Sequence, residues 1–276
     1  MDEKFTVERI QAGGCTDNSG CLAHIYRGAE LLAPPPVVLH LHGGAFSASC
    51  EHACGRVPET LAAAGAVVVS LQYSFACLNP FPAALEVIYS ILTSMPARCP
   101  DFAHKKSMLF VAGQEAGGNI AAGVALMARD QYLTDLKGQI LLSPMLDPFL
   151  ATASFRKYCS ESAVQTMADG WQHYLGEHAG FTHPYAAPAM CSRLAGLVPT
   201  LLVTSAECPM RDETQAYAER LRKADVKAQS YILPGKAGWI PEHKVADSDW
   251  LPQQEKLIAL FAEFFQQAGA KQTEVI

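Results

Sequence analysis

The sequence predicts an α/β protein built on a doubly wound, mostly parallel sheet flanked by helices. Short apolar runs rich in β-branched residues alternate with longer segments of helical periodicity. Several of these runs are apolar throughout, as expected when helices cover both faces of a parallel sheet. The chain has 276 residues, of which 50% are hydrophobic, so it can bury a sizeable core. We expect a single domain over residues 1–276.

The predicted strands follow from the β-branched runs. Six clear runs are found at 36–41, 66–71, 108–112, 139–143, 200–204 and 229–233. Two weaker runs, at 5–9 and 21–27, would add leading antiparallel strands, which gives about eight strands in all.

The predicted helices lie between the strands, at 53–64, 82–95, 118–129, 214–223 and 253–267. The last of them carries Leu257, Phe261, Phe264 and Phe265 at i, i+4, i+7 and i+8, which places them on one apolar face. Alternation of strands and helices predicts right-handed crossovers between parallel strands.

Residues 149–190 interrupt this alternation. The segment has the pattern of one or two helices around residues 160–175, inside a long connection. An insertion of that length in a compact domain is often a lid over a site. We therefore predict a small helical cap over 149–190.

Composition excludes several classes of partner. Lys and Arg total 21 against 27 Asp and Glu, a net charge of −6, which argues against nucleic acid. No apolar run approaches the ~20 residues of a membrane-spanning helix, so no membrane partner is expected. The charged N-terminus lacks the apolar core of a signal peptide, and the nine cysteines are odd in number and scattered. These features predict a cytoplasmic protein with free thiols.

No metal or cofactor is predicted. The CEHAC segment at residues 50–54 has closely spaced cysteine and histidine side chains. However, no second ligand pair follows at the spacing of a zinc finger. The simpler interpretation is a loop that enters a helix.

A resemblance to a known family rests on several motifs in order. The HLHGGAF segment at 40–46, after an apolar strand, resembles the His-Gly-Gly-Gly loop of esterases related to hormone-sensitive lipase. Residues 72–86, 108–119, 183–188 and 203–213 resemble further blocks of that family, and Trp171 and Tyr174 fit its cap. The resemblance covers roughly residues 30–265 and implies the α/β-hydrolase fold. It also implies an oxyanion hole made by the backbone N–H groups of Gly43, Gly44 and Ala116.

The resemblance locates three triad positions, and all three are replaced. In the family's Gly-x-Ser-x-Gly turn, Glu115 stands in the serine position. Cys208 stands in the position of the aspartate, and Ala237 in that of the histidine. If the histidine position is counted from Pro234 instead, it shifts by one residue along the chain. In either alignment no histidine occurs until His243. Serine acyl transfer needs all three groups, so triad hydrolysis is not expected.

Glu115 leaves several interpretations open. Its carboxylate could fold back into the oxyanion hole and make the site inert, because a buried carboxylate must find donors. It could instead act as a general acid or base beside a substrate carbonyl, in an isomerase, lyase or cyclase. A carboxylate nucleophile, like the Asp of related dehalogenases and epoxide hydrolases, would still need a histidine to activate water.

The leading functional hypothesis is a degenerate member of this esterase family that binds a small apolar or carbonyl-containing ligand. Plant gibberellin receptors provide an analogy within the family, since they bind a small molecule without a triad. The alternatives are the non-hydrolytic enzyme and an ester hydrolase that uses displaced residues. The resemblance also implies that the family's N-terminal cap is mostly missing, which would expose an apolar surface and predicts a homodimer.

Overall fold

Eight strands form one sheet in the computed structural model, which describes residues 5–12, 21–46, 55–73, 80–176, 181–240 and 243–270. Their order across the sheet is β1-β2-β4-β3-β5-β6-β7-β8. The strand bounds are β1 Phe5–Ala12, β2 Cys21–Gly28, β3 Val37–Leu41, β4 Val67–Gln72, β5 Leu109–Gln114, β6 Leu136–Leu142, β7 Thr200–Ser205 and β8 Ala228–Leu233.

The sheet is mostly parallel, as predicted. Strand β2 runs antiparallel to β1 and to β4. All remaining neighbours, from β4 and β3 across to β8, pair in parallel. The two weak sequence signals thus correspond to the two antiparallel strands. Strands β3, β5 and β7 are buried along their whole length, as expected when helices cover both faces of a parallel sheet.

Seven α-helices accompany these strands in the described residues. Their bounds are α1 Arg56–Ala63, α2 Ala83–Phe102, α3 Glu115–Asp130, α4 Ala153–Tyr158, α5 Glu161–Leu175, α6 Arg211–Lys223 and α7 Asp247–Ala270. Each helix predicted from the sequence is present, but several ends were predicted wrongly. Helix α2 continues past the predicted end at residue 95, through Pro96 and Pro100, because Cys99 is still packed in the core. Helix α7 begins six residues before the predicted start, with Trp250 buried in its first turns.

The segment 149–190 contains helices α4 and α5. The side chain of Thr152 accepts the backbone N–H of Phe155, and that of Ser160 accepts the N–H of Ala163, so each helix has an N-terminal cap. The prediction of one or two helices in this segment is confirmed. Its action as a cap stays a prediction.

Helix α5 lies against the loop that follows β3. A Cβ atom added at Gly170 would collide with the carbonyl oxygen of Ala45, so the two backbones are in direct contact. Only glycine permits this approach at position 170. No helix among the described residues is long and apolar enough to cross a membrane.

Candidate active site

The site is organised around a sharp corner between β5 and α3. Glu115 is the first residue of α3 and has a φ of 53°, in the left-handed region that side chains other than glycine seldom adopt. A Cβ at Gly113 would collide with the Gly117 carbonyl, and a Cβ at Gly117 would collide with the carbonyl of Leu41. The sequence prediction began this helix at residue 118. It was wrong because these backbone contacts outweigh the low helix propensity of glycine.

Glu115 lies against the loop after β3. Its Oε2 atom accepts the backbone N–H of Gly44 at 2.7 Å. A Cβ at Gly43 would lie 2.5 Å from the same oxygen. The side chain is only 1% exposed, and Ala116, the next residue, is equally buried. The structure therefore brings together Glu115, Gly43, Gly44 and Ala116, the four residues that the sequence resemblance placed in the Gly-x-Ser-x-Gly turn and the oxyanion hole.

The loop itself is held by His42 and Tyr73. The Nδ1 of His42 donates to the carbonyl of Gly43 at 2.7 Å. The hydroxyl of Tyr73 donates to the carbonyl of His42 at 2.6 Å, and the two rings stack 4.5 Å apart. Gly44, Ala45 and Phe46 then follow with φ values of 126°, 47° and 60°. His42 thus braces the loop, which keeps the Gly44 N–H directed at Glu115.

A second hydrogen-bond network lies beneath the corner and was not predicted. The Nε2 of His40 donates to the Gln114 side-chain oxygen at 2.7 Å, and its Nδ1 lies 2.8 Å from the Ser70 hydroxyl. Burial lowers the pKa of His40 to about 3, so the ring is neutral. Ser70 and His40 are 3% and 0% exposed, so this Ser–His pair is sealed inside the sheet and cannot attack a substrate.

Cys208 occupies the predicted aspartate position and is fully buried. Burial raises the pKa of its thiol to about 11, so the group is a protonated thiol near neutral pH. Five residues on, Glu213 accepts the backbone N–H groups of Leu146 and Asp147 at 3.0 and 2.7 Å. Burial nevertheless raises the pKa of Glu213 to about 8. Glu213 is a buried acid that the sequence reasoning missed.

Ala237 occupies the predicted histidine position and is fully buried in the loop after β8. Gln253 of α7 holds this loop, because its amide nitrogen donates to the carbonyls of Pro234 and Lys236 and its oxygen accepts the Gly238 N–H. The Nδ1 of His243 donates to the carbonyl of Ala237 at 3.1 Å. Burial lowers the pKa of His243. Its ring therefore touches the backbone of the predicted histidine position.

The loop carrying Gly44 also contacts helix α5 through aromatic side chains. The ring of Phe46 stacks on Tyr174 at 4.2 Å with an interplanar angle of 5°, and it lies 5.0 Å from Trp171. Both partners are 1% exposed. The loop thus contacts Glu115 through Gly44 and two aromatic residues of the predicted cap through Phe46.

Within the part of the chain that the structure describes, no group of three His, Cys, Asp or Glu side chains is placed to hold a metal ion. The CEHAC segment at 50–54 lies outside the described residues, so its interpretation as a loop stays a prediction.

Comparisons with known proteins agree with the fold. A family model described as alpha/beta hydrolase fold matches residues 38–238. An esterase from Acinetobacter venetianus is 26% identical over 245 residues, which cover 86% of this chain and 78% of that protein. The gibberellin receptor GID1A of Arabidopsis thaliana is 34% identical over 204 residues, 68% of this chain and 58% of the receptor. The crystal structure of the esterase LipW from Mycobacterium marinum covers 97% of this chain and 83% of that one, with a TM-score of 0.82 and 28% identity.

Proposed function

The chain belongs to the hormone-sensitive-lipase-like family of the alpha/beta hydrolase fold, and from that premise we propose that it binds a small ligand without serine hydrolysis. The ligand class is apolar or carbonyl-containing. The observation that carries the proposal is the position of Glu115, a buried carboxylate that accepts the Gly44 N–H at 2.7 Å. In a triad hydrolase this position presents a hydroxyl nucleophile, and the N–H groups of the loop stabilise an oxyanion.

The other two triad positions support the same proposal. A buried thiol at Cys208 is protonated at neutral pH and cannot orient a histidine as a carboxylate does. The methyl group of Ala237 can neither accept nor transfer a proton. A receptor role is also in keeping with the relative named a gibberellin receptor, although this chain covers only 58% of that protein.

A second candidate function makes Glu115 an acid or base. The carboxylate lies beside the backbone donors that could hold an enolate, so a ligand that takes over the Gly44 N–H would leave the carboxylate beside a substrate carbonyl. This would be an isomerase, lyase or cyclase without an acyl intermediate. Its distinguishing property is turnover that Glu115→Gln abolishes while ligand affinity is retained.

Hydrolysis of p-nitrophenyl acetate and butyrate tests the proposal, with wild type beside Glu115→Ala and a fluorophosphonate probe on both. We expect no turnover above the uncatalysed rate and no labelling. Turnover abolished by Glu115→Ala would contradict the proposal, because the site would then hydrolyse esters by another mechanism. Fluorophosphonate labelling of wild type would likewise contradict it, since it would reveal an activated nucleophile.

We also propose a cytoplasmic location and a homodimer. The location is supported by the scattered cysteines, of which Cys99, Cys159, Cys191 and Cys208 are free in the described residues. Fractionation of the source cells tests the location, and recovery outside the cytosol would contradict it. Sedimentation equilibrium tests the dimer, and a 29.7 kDa species at high concentration would contradict it.

A further inference from the structure

We propose that Trp171 and Tyr174 form a polar recognition point for the ligand, at which both side chains donate hydrogen bonds to one neutral oxygen of a mostly apolar compound. This inference rests on the proposed binding function and specifies the ligand's chemistry. The two residues are three apart on helix α5, so they lie on one face of that helix.

The first argument is their place in the site. Phe46 contacts both residues, and it lies two positions after Gly44, whose N–H binds Glu115. The rings of Trp171 and Tyr174 are themselves 6.1 Å apart between centroids. The two side chains therefore contact, through Phe46, the loop that binds Glu115.

The second argument is hydrogen bonding. The indole Nε1 of Trp171 and the hydroxyl of Tyr174 are both buried and have no hydrogen-bond partner in the structure. A buried donor without an acceptor costs about 1–3 kcal/mol, so native proteins retain few of them. Other described side chains share this property, among them Tyr217 in α6. Trp171 and Tyr174 are distinguished by being neighbours on one helix face and by sharing contact with the loop.

The chemistry of the two groups specifies the ligand. An indole N–H can only donate, so the ligand must supply an acceptor. Burial raises the pKa of the Tyr174 hydroxyl above its ordinary value, so the hydroxyl keeps its proton and can donate as well. A charged group is costly to bury unless it is paired, so a neutral oxygen suits the buried Trp171 and Tyr174 better than an ionic group. The expected ligand is therefore an uncharged, mostly apolar compound with a carbonyl oxygen.

Matched pairs of probes test this inference on the full chain. Acetophenone is compared with ethylbenzene, and cyclohexyl methyl ketone with ethylcyclohexane, by titration followed calorimetrically. The members of each pair are similar in size and differ in the carbonyl oxygen. We expect each ketone to bind wild type roughly tenfold more tightly than its hydrocarbon. Trp171→Phe and Tyr174→Phe should each reduce that ratio to about threefold or less.

Tyr217→Phe is the control, because it removes another buried hydroxyl without a partner, in a different helix. It should leave the ketone preference unchanged. Tyr174→Phe removes a hydroxyl that has no hydrogen-bond partner, so its melting temperature should not fall below that of wild type. The variant is therefore expected to fold. Ketones and hydrocarbons that bind wild type equally would overturn this inference and leave the binding function intact. Failure of all four compounds to bind would count against both proposals.

Discussion

The Glu115 carboxylate and the Gly44 backbone are joined by a hydrogen bond of 2.7 Å between Oε2 and the amide nitrogen. The bond connects the start of α3 to the loop after β3, two segments that are 71 residues apart in sequence. It fixes the side chain in a corner where it is 1% exposed.

Glu115→Ala should lower the free energy of unfolding by about 1–3 kcal/mol, because the Gly44 N–H loses its acceptor in a buried place. Glu115→Gln keeps a side-chain oxygen and should cost less than Glu115→Ala. Urea denaturation of the three proteins measures both differences. Equal losses in the two variants would show that the hydrogen bond contributes little and that packing dominates.

Glu115→Ser should not produce esterase activity with p-nitrophenyl butyrate. The new hydroxyl would lack a base if Ala237 and Cys208 stand in the other triad positions, as the sequence resemblance implies. The triple variant with Cys208→Asp and Ala237→His is the comparison that supplies the missing groups. Appreciable turnover by Glu115→Ser alone would contradict the assignment of Ala237 to the histidine position.

Gly43→Ala should destabilise the protein by about 1–3 kcal/mol, because its Cβ would lie 2.5 Å from Glu115 Oε2. The loss should shrink in a Glu115→Gly background, where that oxygen is absent, so the two substitutions should be strongly non-additive. Gly269→Ala is the control, since its Cβ would lie at 3.4 Å from the Met108 side chain, an ordinary contact. Additive losses from Gly43→Ala and Glu115→Gly would contradict the predicted contact.

Glu213→Gln should become more stable relative to wild type as the pH rises from about 5 to 9. The folded pKa of Glu213 is raised to about 8 from an ordinary value of 4.5. The protonated acid therefore stabilises the fold fully below about pH 4.5, and this stabilisation is lost as the pH rises through 8. The slope should not exceed about 1.4 kcal/mol per pH unit.

Denaturation at pH 5, 7 and 9 measures the effect for Glu213→Gln, and Glu219→Gln on the exposed face of the same helix is the control. The difference between wild type and Glu219→Gln should stay constant over this range. A constant difference for Glu213→Gln as well would mean that Glu213 is ionised in the folded protein throughout.

The sheet was predictable because burial on both faces leaves a local signature in the sequence. Strands β3 and β7 differ from the predicted runs by one residue at one end, and β4 by one residue at each end, since nearly all of their residues are buried. Helix ends were predicted less well. Gly117 and Gly118 weaken the local helix signal, so the predicted start of α3 came three residues too late. The actual start is decided by contacts with Leu41 and Pro144 from other elements.

The site was predictable only in part, for the same reason. Motif order located Glu115, Gly43 and Gly44, and the structure places them in contact. The sequence left open whether the carboxylate would turn toward the loop. The network of His40, Ser70 and Gln114 and the acid Glu213 were missed, because each depends on partners from distant segments that no local pattern reveals.

The hydrogen bonds of Gln253 to the loop after β8 have a consequence for the order in which parts of the site form. Gln253 follows Gly238 by 15 residues, so the loop leaves the ribosome before the side chain that fixes it. Domains generally fold as units. The backbone around Ala237 therefore acquires its three hydrogen bonds to Gln253 only when α7 has been made and docks on the sheet.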